Sequence, residues 1–127
     1  TVAGLGPLVD GVVFTAAGCM QPGSRLEAFN KRFEQAPGHP PTSTYEVNGY
    51  EIGLLLDAAV TAAGSDSGRA IRDALADLAD FDAVTGTITY RDTQRIPIRS
   101  VGLLRYESGS PQCVKTVTPA AADIPNP

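Results

Sequence analysis

The chain has 127 residues and a net charge of −4, with a pI of about 4.8. That length supports one core and is too short for two large domains. Apolar residues make up 43% and charged residues 19%, which is the globular range, and no apolar run approaches the ~20 residues that span a bilayer.

Lys and Arg are scattered and form no basic stripe, which excludes the usual footprint of a nucleic-acid binder. Arg91, Arg95 and Arg99 are evenly spaced. They fall across a turn and a strand containing Pro97, and read as a solvated hairpin. Thr1 opens the chain without a basic and apolar leader pattern, so any signal peptide is expected to be removed or to lie upstream.

Val12-Val13-Phe14-Thr15-Ala16 is an apolar run between Gly11 and Gly18. It lacks alternation and predicts a buried strand of the parallel type. A turn over Gly18–Gly23 follows. Ser24 and Glu27 have the spacing of a capping box. Leu26, Phe29, Phe33 and Ala36 then give one apolar face on a helix of about three turns. Pro37-Gly38-His39-Pro40-Pro41 stops that helix, because proline lacks the N–H and restricts its predecessor.

A long helix starts near Ser43 or Thr44 and ends at Gly64. Val47, Tyr50, Ile52, Leu54, Leu55, Leu56, Ala59, Val60 and Ala63 cover more than half its circumference, with Glu46, Asp57 and Thr61 on the wet side. Ser65-Asp66-Ser67 caps a short helix with Ile71, Ala74, Leu75 and Leu78 on its buried face. Arg69 and Asp73 there form an expected i,i+4 pair. Phe29, Phe33, Leu55, Leu56, Ile71, Leu75 and Leu78 are expected to be buried together.

Thr87-Ile88-Thr89-Tyr90 alternates as a strand, and Arg91–Arg95 is a polar turn. A second strand runs from Ile98 through Ser100 to Tyr106. Ser108–Pro111 is a hairpin turn, and Gln112–Val117 a third strand. The stretch 118–127 reads as a mobile tail. The order is strand, three helices, three strands, an α/β chain.

Little in the sequence points to catalysis. There is no nucleophile elbow, phosphate loop or dinucleotide fingerprint. Asp77, Asp80 and Asp82 cluster at a helix end and fit turn formation better than acid/base work. His39 sits in the proline loop with no Ser, Cys or Asp partner placed for it. One histidine and two distant cysteines, Cys19 and Cys113, do not make a metal site; no metal or cofactor is expected. Two cysteines fit either a disulfide in an oxidising compartment or two buried thiols.

Six pieces in order resemble the last third of a type I periplasmic solute-binding protein of the branched-chain amino-acid class. They are Asp10-Gly11-Val12-Val13-Phe14; Phe29-Asn30-Lys31-Arg32-Phe33; Gly38-His39-Pro40-Pro41; Tyr45 to Ile52; Ala63-Gly64-Ser65 through Ala74-Leu75; and Phe81-Asp82-Ala83-Val84-Thr85-Gly86-Thr87-Ile88-Thr89-Tyr90. Ala83 departs from the family's glycine. The resemblance covers residues 1–117 and implies a portion of a two-lobed fold. It implies that strand 12–16 and the strands after residue 98 belong to one lobe. The helices and the Ile88 strand belong to the other, with crossings near Gly18–Gly23 and Asp92–Pro97.

The resemblance further implies a non-catalytic, extracytoplasmic binding component of an ABC transporter, periplasmic or extracellular, with or without a lipid anchor on the full-length protein. Its partners would be a small polar ligand such as an amino acid, a permease, and the remainder of the fold or another copy. The rival readings are a ligand-sensing or regulatory domain of the same fold, and a small enzyme or stand-alone α+β domain unrelated to the family. Tyr45 matches an aromatic that the family places near the cleft, though a helix-start aromatic packing on the hinge fits as well. Met20 and Gln21, in the crossing loop beside Cys19, are the other candidate ligand contacts.

Overall fold

A computed structural model describes residues 2–36, 38–93 and 95–124. Thr1, Pro37 of the helix breaker, Gln94 of the polar turn and the tail's end, 125–127, lie outside the described residues.

After 3-10 turns over Val2–Val9 come strand β1 (Val13–Ala16), helices α1 (Arg25–Gln35), α2 (Thr44–Ala63) and α3 (Gly68–Ala76), and strands β2 (Phe81–Asp82), β3 (Thr87–Thr89), β4 (Ile98–Arg99), β5 (Val101–Glu107) and β6 (Ser110–Val117). The strands make two antiparallel sheets, ordered β1-β5-β6 and β2-β3-β4. The chain is thus mixed α/β, with its helices inserted between β1 and the second sheet.

The helix ends follow local chemistry. Ser43 caps α2, and Glu46 returns the bond to the Ser43 backbone N–H, completing a capping box. Gly64 closes that helix in the left-handed region at φ 57°, where a Cβ would be penalised. At α1 only half of the expected box forms. Ser24 accepts from the Glu27 N–H, but the Glu27 carboxylate accepts from Gly23 N instead, at 2.7 Å.

Several expectations are corrected. The run at Val12–Ala16 is not a buried parallel strand. β1 is antiparallel to β5, with Phe14 opposite Leu104, and Val13 is half exposed. An unbroken apolar run reports two apolar faces and says nothing of its neighbour's direction. The strand read from Ile98 to Tyr106 is two strands in different sheets. β4 pairs with β3, β5 pairs with β1 and β6, and buried Ser100 lies between. The second passage between sheets therefore falls at Ser100, not at Asp92–Pro97. Asp73 pairs with Arg72 at 2.5 Å rather than with Arg69.

On α2 the apolar face is narrower than its sequence suggests. Ile52 is 65% and Leu56 54% exposed, so Leu56 leaves the expected buried set. The core forms around Phe29, Val47 and Val84, with Leu26, Phe33 and Leu54 against it. Tyr50 reaches the Phe29 ring at 5.3 Å. Leu55, Ile71, Leu75 and Leu78 are partly buried. α2 has cover on one side only, from α1, α3 and the β2–β3 turn.

Candidate ligand cleft

The inner face of the β1-β5-β6 sheet carries Phe14 and Tyr106, whose rings stack at 5.1 Å. Opposite them stands the start of α2. Two adjoining cavities of about 470 and 450 Å³ lie between, sharing Phe14, Ala16, Ala17 and Thr44 as walls. The larger runs toward Met20, Asn30 and Pro111, the smaller toward Arg99 and Val101. The cleft is apolar along the sheet and polar at the helix start and at Arg99, the pattern of a small-molecule site.

The crossing loop is held in place from two sides. Cys19 and Cys113 form a disulfide, with Cα atoms 5.4 Å apart; the sequence left that pairing open. Gly102 lies so close to the Gly18 carbonyl that a Cβ on it would overlap that backbone. Only glycine permits this approach of β5 to the loop.

Behind the cleft lies a buried carboxylate that the sequence reading overlooked. Glu51, 2% exposed, accepts from Thr85 N at 2.6 Å and Thr85 Oγ1 at 2.8 Å through Oε1. Its Oε2 accepts from Arg99 Nη2 at 3.0 Å. The same Nη2 donates to Thr85 Oγ1 at 2.6 Å. Charge-assisted bonds of this kind satisfy a buried carboxylate. A signal was present: Glu51 follows Val47 by four residues and precedes Leu54 by three, so it lies on the buried stripe. Arg99 is accordingly not part of a solvated hairpin. Arg91, by contrast, stays exposed and donates to the Asp77 carbonyl at 3.0 Å.

Of the candidate contacts, Met20 lines the larger cavity and is 58% exposed. Gln21 lies beside the disulfide, its amide nitrogen 3.5 Å from Cys113 Sγ. Tyr45 stands one residue past Thr44 and is 81% exposed. His39 is exposed, with Nδ1 2.9 Å from the Pro40 carbonyl. Asp82 pairs with Arg25 at 2.5 Å and ties α1 to β2.

The sequence model of the periplasmic binding protein family matches residues 1–111. The chain belongs to that family, whose fold binds solutes. Comparison with curated proteins gives no match.

Among solved structures, a putative branched-chain amino-acid ABC transporter protein of Rhodospirillum rubrum is similar at 26% identity and a TM-score of 0.74, over 86% of this chain and 32% of that one. A solute-binding protein of R. palustris, in complex with benzoate, matches at 26% identity and a TM-score of 0.67, over 93% and 33%. The leucine-binding protein LivK of Thermotoga maritima shares the fold at 23% identity and a TM-score of 0.69, over 90% and 33%. The chain spans about a third of the length of these structures.

Proposed function

We propose that this chain is part of the extracytoplasmic solute-binding component of an ABC transporter, holding a small ligand between two lobes. Membership of the periplasmic binding protein family carries the reading. The cleft between the β1-β5-β6 sheet and the start of α2 supports it, being walled by apolar residues with few polar groups. The benzoate complex and the leucine-binding neighbour suggest a small carboxylic or amino acid as ligand. Met20, Gln21 and Tyr45 are proposed as contacts at its mouth, and residues 1–117 as parts of two lobes. A transporter permease and the remaining walls of the fold are the proposed partners, outside the cytoplasm. The action is binding without catalysis.

Uptake of labelled leucine and benzoate by cells carrying or lacking the gene tests the proposal. Loss of uptake of either solute supports it, and unchanged uptake across an amino-acid and aromatic-acid panel overturns it.

A further inference from the structure

The walls of the two adjoining cavities include one charged side chain among the described residues, Arg99, and no carboxylate. Thr42 and Ser43, which also border the cleft, already give their hydroxyls to Glu46. Arg99 is held from behind by Glu51 and Thr85, both through Nη2. Guanidinium carries five N–H donors. Among the described residues, Nη1 makes no hydrogen bond, and buried Nε has no partner. The side chain is 32% exposed and lines the smaller cavity beside Phe14, Ala16 and Val101.

We infer that Arg99 holds the anionic end of a small carboxylate ligand whose apolar body lies along Phe14 and Ala16. This rests on the solute-binding reading of the cleft and adds the group that sets charge preference. Glu51 and Thr85 fix the guanidinium so that little side-chain freedom is lost on binding. An ammonium finds no carboxylate partner on this wall, so the anion is favoured over a cation of the same shape. Because Glu51 already shares the charge of Arg99, the preference is modest, about tenfold over a neutral isostere.

The test is an NMR titration of the 127-residue chain with 4-methylpentanoate and with 4-methylpentanamide. The acid is expected to shift Ala16, Ala17, Thr44 and Arg99 resonances at a concentration about tenfold below the amide. The Glu51→Gln/Arg99→Gln double variant removes both charges together, so neither is left buried and unpaired. It should bind acid and amide alike. Arg99→Lys leaves Glu51 a cationic partner, guards against misfolding of the double variant, and should lose most of the preference.

Equal titration of acid and amide in the unaltered chain overturns the inference while the cleft still binds solutes. An undiminished preference in either folded variant also overturns it. If neither compound moves the cleft resonances, the solute-binding reading of this cleft fails, and the inference with it.

Discussion

Arg99 and Glu51 meet at 3.0 Å, joining the middle of α2 to the last residue of β4, where the chain leaves one sheet for the other. Thr85 completes the junction from the β2–β3 turn, with its backbone N–H and its hydroxyl on the same carboxylate. One side chain thus fixes a helix, a turn and the end of a strand.

Glu51→Ala should therefore destabilise the chain by roughly 2–4 kcal/mol. This is below the full range for a severed buried pair, because Arg99 is partly solvated. Glu51→Gln keeps an acceptor for Thr85 and should cost less. Urea denaturation followed by circular dichroism measures both. A loss under about 1 kcal/mol for the alanine variant would show that the junction relaxes around the missing carboxylate.

The Cys19–Cys113 disulfide closes a separation of 94 residues. In the chain-entropy account, reducing a loop of that size removes up to about 4.5 kcal/mol. Thermal unfolding with and without dithiothreitol is the direct comparison. Coincident curves would mean that Gly18–Gly102 packing alone holds the crossing loop on β5.

Two glycine substitutions should move in opposite directions. Gly102→Ala places a Cβ against the Gly18 backbone, which cannot swing aside, and should cost about 1–3 kcal/mol or more. Gly53→Ala lies within α2 with open space around it and should gain about 0.5–1 kcal/mol from helix propensity. Denaturation midpoints of the two proteins decide the matter; a stabilised Gly102→Ala would contradict the close approach.

The Glu46 carboxyl is lowered to about 2, chiefly by hydrogen bonds from the Ser43 and Thr42 hydroxyls. Its folded value lies below its unfolded one. The capping contribution is therefore fully present above about pH 4.5 and fades as the pH falls toward 2. Carboxyl-carbon NMR of Glu46 gives its midpoint, and a value near 4.5 would mean the capping box is open in solution.

Isolated in solution, this 127-residue chain should still bind leucine and benzoate measurably, at millimolar concentrations and no tighter. A site that buries most of its ligand needs walls on every side, and this chain, about a third the length of its structural neighbours, supplies only the sheet and the start of α2. Calorimetry against both compounds checks this, and micromolar binding by the monomer would show that the cleft is already complete.

Much of the fold was legible along the chain because it is set locally. Ser43, Glu46 and Gly64 bound α2 through their own hydrogen bonds and dihedral angle. Ser108 and Gly109 take φ values of 52° and 75° and turn β5 into β6; the hairpin was legible, although Ser110 and Pro111, read as turn, pair with Glu107 and Tyr106 as the start of β6. The site was less legible. Met20 could be placed in the crossing loop, but Phe14, Thr44 and Arg99 come from distant segments, and only packing brings them to one cleft.

The amino-acid sequence by itself determined the helices, the capping box and glycine stop of α2, the hairpin and the resemblance to the periplasmic binding protein family, since each depends on residues within a few positions of one another; the expected cap of α3 did not form, Ser67 making no side-chain cap bond. Tertiary structure alone decided that β1 is antiparallel, that Ser100 divides one apparent strand between two sheets, that Cys19 meets Cys113, and that Glu51 is buried against Thr85 and Arg99. Strand direction, pairing across 94 residues and the burial of a charge depend on which distant groups arrive beside it, and no local pattern carries that information.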